Sequence, residues 1–239
     1  MENLFERKYY MRTSDFDRFG CVQPSAVLDL FQDVAGLHAN ALGCGYDDLI
    51  QKQMIWVLVR VKFELIKSPV MFQQVTVKTW PLEPSRAGFR RDYLIEDEAG
   101  AVLVRGASEW VVVHSELRRM VPARDVYPEM SFITETAVDE KLSKLREIKE
   151  EGQKFELIQR FSDIDINGHV NNTKYANFVL NALSPEKDER IKALQIDYRH
   201  EVREGVPLTL KLGREDNAVT AFGADTEDNT MFACRIEFC

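Results

Sequence analysis

Only four cysteines occur in the 239 residues, Cys21, Cys44, Cys234 and Cys239, and no two are spaced as CxxC. A zinc ribbon or a disulfide framework needs paired spacings, so neither is expected, and a reducing, cytoplasmic setting is. No apolar run approaches the roughly 18 residues that read as a membrane span. The opening MENLFERKYYMRTSDF also lacks the apolar stretch of a signal peptide. Basic residues are outnumbered, with 31 Lys and Arg against 39 Asp and Glu and a net charge of −8. Nucleic-acid binders normally carry a basic face, so that class is set aside together with a membrane role. GxSxG, the P-loop and GxGxxG are missing, which removes support for a serine nucleophile elbow or a bound nucleotide and implies no cofactor.

What is present is an ordinary globular composition, 45% hydrophobic and 29% charged, with ample apolar material for a core. It is arranged as a repeat. Residues 14–22 read SDFDRFGCV and residues 162–170 read SDIDINGHV, an offset of 148 residues. Ser, two Asp, Gly and Val recur in register, while Phe19 faces Asn167 and Cys21 faces His169. Internal similarity of this kind sets the architecture before any local motif does. It divides the chain into a first unit at 1–125, a charged linker at 126–153 and a second unit at 154–239.

Each unit has one helix followed by antiparallel strands. In the first, residues 4–12 predict a strand, and apolar positions from Val27 to Leu37 mark one face of a helix over 23–42, with Pro24 in its first turn. Strands follow at 55–66, 71–80, 87–96, 101–113 and 115–121. The second unit repeats this as a strand at 155–161, a helix at 172–183 and strands at 191–201, 206–213, 217–225 and 230–238. Between them, DEKLSKLREIKEE (139–151) reads as a solvated connector helix. The class is α+β, a helix wrapped by a sheet in each unit.

Asp163-x-Asp165-x-Asn167-Gly168 imitates the start of a calcium loop, but its twelfth position is Lys174, which cannot ligate calcium. His200-Glu201 opens like a zinc-protease helix and lacks the second His. No metal is implied. What remains is Asp165, Asn167 and His169, alternating over five residues ahead of a helix. In an extended segment they would project to one side. The N–H groups of about residues 170–173 would then offer donors at a helix N-terminus. Carboxylate, imidazole, amide and N–H donors together suit hydrolysis of an activated acyl group. The plainer alternative is that Asp165 and Asn167 only shape the turn, as Asp15 and Asp17 do in the first copy. Asn167 and His169 have no such counterpart.

The run DIDINGHVNNTKYANFVL, with IDYRHEVREG about thirty residues on, resembles the catalytic half of the acyl-acyl-carrier-protein thioesterases, double hot-dog proteins of plant plastids and bacteria. SDFDRFGCVQPSAVLDLFQDVA, MIWVLVRVKFEL and VKTWP extend the resemblance over essentially the whole chain. It implies a tandem hot-dog, each half an antiparallel sheet around a central helix, with the family glutamate at Glu201. The Cys that many plant members carry one residue later is Val202 here, so a covalent Cys–His route has no nucleophile at that position. Water attack is expected, with Asp165 and Glu201 as the acid/base pair and Asn167 and His169 positioning the thioester. Two carboxylates near one water would raise the pKa of one of them. Aligned strand by strand, with Thr209 on Thr76, Glu201 corresponds to Ser68, so the first half lacks this group as well.

The resemblance further implies that the first half is catalytically silent and holds the acyl chain. Val27, Leu28, Phe31, Trp56 and Leu58 are the candidate lining residues. The implied partner is acyl carrier protein bearing a fatty acyl phosphopantetheine. Arg86, Arg90, Arg91, Arg118 and Arg119 are candidate cations to receive that acidic protein, and a homodimer is compatible with the fold. The expected reaction is hydrolysis of fatty acyl-carrier thioesters to free fatty acid and holo carrier protein, terminating fatty acid synthesis. An acyl-coenzyme A thioesterase, a 3-hydroxyacyl dehydratase and a non-enzymatic acyl-binding module remain open on the same fold.

Overall fold

A computed structural model describes residues 3–146 and 152–239. In chain order the elements are β1 (Phe5–Tyr10), α1 (Pro24–Ala41), α2 (Tyr46–Ile50), β2 (Met54–Leu65), β3 (Gln74–Pro81), β4 (Phe89–Glu96), β5 (Val102–His114) and β6 (Arg119–Met120). After the linker come β7 (Lys154–Ile158), α3 (Lys174–Leu183), β8 (Ile191–Tyr198), β9 (Pro207–Glu215), β10 (Ala218–Ala224) and β11 (Thr230–Phe238). The strands form one antiparallel sheet in the order β1-β3-β4-β5-β2-β8-β11-β10-β9-β7, with β6 paired to β5. Both main helices pack on the same face. Their apolar stripes, Val27, Phe31 and Val34 from α1 and Tyr175, Ala176 and Val179 from α3, share one core with Val61, Phe63, Leu194, Ile196 and Phe232 of the sheet. Burying each large apolar side chain contributes about 1.5–3 kcal/mol, so this shared core binds the halves together. The sheet wrapped around two helices is the expected tandem hot-dog.

The halves join where β2 pairs β8, from Arg60↔Asp197 to Glu64↔Ala193, around Lys62↔Gln195. An offset of 133 residues relates Lys62 to Gln195, and the symmetry extends beyond the ladder. Ile66 and Lys67 both donate backbone N–H groups to the Leu103 carbonyl, and Arg199 and His200 both donate to that of Met231. Ser68 and Glu201 are therefore structural equivalents. In β2 a bulge at Val59, between Leu58↔Trp110 and Arg60↔Glu109, reverses the alternation. A bulge residue has no partner across the ladder, so the strand resumes with its faces exchanged. Leu58 thus faces the helices as Val61 does, while Arg60 points away.

Two expectations are corrected, and one element was not anticipated. Residues 115–121 supply only the two-residue β6, because Ser115–Arg118 form a turn with Arg118 at φ +50°. The short α2 had no clear periodic signal. The connector is not helical over 139–146, and its remaining residues, 147–151, lie outside the described ones. It runs as an irregular strap across the outer face of the sheet, where Val138 and Leu142 bury against Ala107. Sheet side chains satisfy its backbone: Arg60 donates to the Leu142 carbonyl, Gln195 to that of Ser143, and the Leu145 N–H donates to Asp197. Those bonds replace the ones a helix would make.

Candidate active site

The two copies of the repeat fold into the same turn. Asp17 N–H donates to the Cys21 carbonyl and Asp165 N–H to that of His169, each at 2.8 Å. Phe19 N–H donates to Asp17 Oδ1 and Asn167 N–H to Asp165 Oδ1, again at 2.8 Å in both. Gly20 and Gly168 both sit at φ +76°, where a Cβ would be strained. Residues 165–169 are therefore a closed turn and not an extended segment, which corrects the premise that alternation aims the three side chains together. The bond across the turn brings Asp165 and His169 opposite each other instead. Asn167 is at the exposed tip. One oxygen of Asp165 is committed to shaping the turn, as in the first copy, so the turn-forming reading of this residue holds alongside any chemical one.

The direct polar pair is a different one from that expected. His169 Nε2 lies 3.2 Å from Glu201 Oε2, with the two side chains 23% and 48% exposed. Glu201 reaches His169 because the loop after β8 is tied to the turn: Val170 N–H donates to the Val202 carbonyl. Asp165 enters through a residue that sequence reasoning missed. Tyr175, 3% exposed on the first turn of α3, has its phenol pushed above the ordinary value by burial. The carboxylates of Asp165 and Glu201 push it the same way, against a hydrogen bond with the Val202 backbone. The hydroxyl thus lies in the field of both acids. Its counterpart at the repeat offset is Val27, so the comparison that singled out Asn167 and His169 also carried this signal.

Of the donors expected at residues 170–173, three are used internally. Val170 N–H goes to Val202, Asn171 N–H to the Asp163 carbonyl and Thr173 N–H to Asn171 Oδ1. Asn172 N–H alone of the four has no acceptor among the described residues. It stands beside a narrow cavity at the junction of the halves. Leu28, Phe31, Leu58, Trp110, Asn172 and Tyr198 are among its lining residues. Its free volume is about 20 Å³, room for a single water. Tyr198 donates its hydroxyl to the Asn172 carbonyl at 2.8 Å, and Tyr93 and Trp110 share Ser108 Oγ. Of the expected lining residues, Leu28, Phe31 and Leu58 are there. Val27 is fully buried in the core, and Trp56 belongs to a separate cluster, edge-on to Phe89 and donating to the Cys44 carbonyl.

The expected cationic surface is partly dismantled. Arg91 is 5% exposed and bonded to His38 Nδ1 and Thr79, and Arg90 is held by Asp92 and the Val138 carbonyl. Arg86, Arg118 and Arg119 remain exposed.

Comparison with known proteins meets this geometry. The sequence model of the acyl-ACP thioesterase N-terminal domain matches residues 2–130, and that of the C-terminal domain residues 146–238. A chloroplastic acyl-acyl-carrier-protein hydrolase of Cuphea viscosissima is 28% identical over 216 residues, covering 83% of this chain and 52% of its own. A chloroplastic oleoyl-acyl carrier protein thioesterase of Coriandrum sativum is 28% identical over 241 residues, covering 90% and 65%. The chain thus spans about half to two thirds of the length of these relatives. Among solved structures, a 12:0-ACP thioesterase from Umbellularia californica superposes with a TM-score of 0.87 at 22% identity, over 100% of this chain and 98% of that one. An acyl-ACP thioesterase from Bacteroides thetaiotaomicron gives 0.86 at 21%, over 99% and 98%.

Proposed function

The chain belongs to the acyl-ACP thioesterase family, and we propose that it hydrolyses fatty acyl thioesters of acyl carrier protein, releasing free fatty acid and the holo carrier. The observation that carries this reading is the His169–Glu201 pair at 3.2 Å, beside an open N–H donor at the mouth of an apolar cavity. The chemistry belongs to the second unit, 154–239, and the acyl tail to the first, 1–125, joined through 126–153. A cytoplasmic setting, with the four cysteines present as free thiols, is part of the proposal.

Water attacks the thioester carbonyl carbon while Glu201, steadied by His169, accepts its proton, a positioned general base of the kind that contributes about 10²–10⁴ in rate. Asn172 N–H faces the carbonyl oxygen as it gains charge, and donors aimed at that charge favour the tetrahedral state over the ground state. The carbon–sulfur bond then breaks, and the thiolate takes up the proton. A thiol with a pKa of about 8.5 leaves with little help, so no strong acid is required. Asp165 holds the turn that presents His169 and, with Glu201, keeps a negative field around Tyr175.

Purified protein should release thiol and free fatty acid from lauroyl- or palmitoyl-carrier protein faster than from the matched coenzyme A ester. A preference for the coenzyme A ester, or enoyl hydration without thiol release, overturns the proposal.

A further inference from the structure

Gln159 is 1% exposed, yet neither its amide nitrogen nor its amide oxygen has a hydrogen-bond partner among the described residues. It stands one residue past β7 and continues the inward alternation of Phe155 and Leu157, so its side chain is directed at the core those two pack against. A buried amide without partners destabilises a fold, and native proteins keep few of them. The first half shows that this fold does not need one here. At the repeat offset the residue is Met11, also 1% exposed and part of the shared core.

The backbone around the two residues is the same. Phe72 N–H donates to the Met11 carbonyl at 2.9 Å, and Gly205 N–H to the Gln159 carbonyl at 3.1 Å. Phe72 and Gly205 are related by the offset that relates Ser68 to Glu201, so Gln159 anchors the loop that carries Glu201. The near end of that loop is held at Val202, whose backbone bonds the Tyr175 hydroxyl and whose carbonyl receives Val170 N–H. Tyr175 takes the place of Val27. Two apolar core residues of the first half, Met11 and Val27, are thus both polar in the second. Their replacements meet the two ends of the short loop Val202–Gly205, directly behind Glu201.

We propose that Gln159 is a positioning residue of the catalytic half, its amide holding an internal water shared with the Tyr175 hydroxyl beneath the Glu201 loop. The amide offers two donors and an acceptor, and the hydroxyl a donor and an acceptor. Internal waters typically make about three bonds to groups that lack other partners. Held from below in this way, the loop presents Glu201 to His169 and to the attacking water, and the Tyr175 proton is engaged elsewhere. Stability is given up for placement, as core rules are broken where a site requires it. The proposal rests on the thioesterase reading above.

The test is Gln159→Met, which puts the first-half residue into the second half of the full chain, with Gln159→Leu as a second variant. Each should raise the melting temperature by about 2–4 °C. Each should also lower kcat on lauroyl-carrier protein about tenfold, with KM within about twofold of wild type. A residue that only holds the fold would lose stability and rate together, and a bystander would leave kcat unchanged. Either result overturns the proposal, as does a rise in KM at constant kcat. A crystal structure of the wild type should show an ordered water within about 3.2 Å of both the Gln159 amide and Tyr175 Oη; an amide bonded to protein instead overturns the water site. If the wild type releases no thiol, the thioesterase reading fails, and the melts and the crystal still decide whether the amide holds water. Thiol release that Gln159→Met leaves unchanged defeats only the role of Gln159.

Discussion

His169 Nε2 sits 3.2 Å from Glu201 Oε2, and the structural equivalents of these two residues in the first half are Cys21 and Ser68. A close acid–imidazole pair stands on one side only of a pseudo-symmetric fold. Because the two groups act through each other, Glu201→Gln and His169→Ala should each lower turnover by at least about 100-fold, and the double variant should lose little more than the worse single one. Multiplying losses in a rate assay of thiol release would show that the pair does not act as a unit.

The shared turn gives an internal control for Asp165. Asp17 and Asp165 both accept a backbone N–H two residues on. Asp17 also accepts the Cys21 N–H, so Asp165→Ala should lower stability by about 1 kcal/mol through loss of a turn bond and Asp17→Ala by at least as much. Only Asp165→Ala should also lower kcat/KM. Denaturant melts beside rate measurements on the two variants decide it, and equal activity in both would reduce Asp165 to a turn former.

The opposite behaviour is expected at the tip. Asn167 is exposed, and the turn bonds around it come from backbone and aspartate atoms. Replacing Asn167 and His169 by the first-half residues, as Asn167→Phe and His169→Cys together, should leave stability within about 0.5 kcal/mol of wild type. Activity should disappear. A large fall in melting temperature would mean that these residues hold the turn after all.

The repeat made much of this visible in advance, because a duplicated sequence must fold twice and its mismatches then stand out against a constant frame. Helix α1, the strands and the candidate residues of the turn could be read that way. Where residues 165–169 point could not, since a positive-φ glycine and an aspartate bond close the turn that simple alternation treats as extended. The Val59 bulge was equally hidden: a ladder register is a property of two strands, and one strand's pattern does not contain it. The strap read as a helix because its charges suit one. Its partners, Arg60, Gln195 and Asp197, lie 52 to 82 residues away. Arg91 looked like surface charge and is instead a buried ligand of His38, again a long-range fact.

The cavity makes a prediction about chain length. Phe31 stacks on Tyr93 with ring centroids 4.2 Å apart. Gly106 lies beneath it, where an added Cβ would fall 2.4 Å from Phe31 Cε2. Phe31→Ala should shift the released fatty acids to longer chains, at a cost of about 3–5 kcal/mol in stability. Gly106→Ala should force the ring toward the cavity and shift products to shorter chains, costing about 1–3 kcal/mol. Gas chromatography of the released acids reads both, and shifts in the same direction would place the tail elsewhere.

Acid should weaken the outer face of the sheet in a way one residue reports. Burial raises the Glu64 carboxyl, but hydrogen bonds and charge from Arg105 and Lys62 outweigh it and leave the group below its ordinary 4.5. With Glu64 between Arg105 at 2.7 Å and Lys62 at 3.1 Å, the folded state holds this proton less tightly than the unfolded chain does. The unfolded state thus binds more protons through this window, and the contribution of Glu64 is complete above about pH 4.5 and falls away as the pH drops through the lowered folded value. Glu64→Gln should melt below wild type at pH 7, and the two melting temperatures should converge in acid. The pair is partly exposed and screened by salt, so the gap should also narrow at high ionic strength. A gap that stays constant from pH 7 down to the acid limit would mean that Glu64 matters through its shape and not its charge.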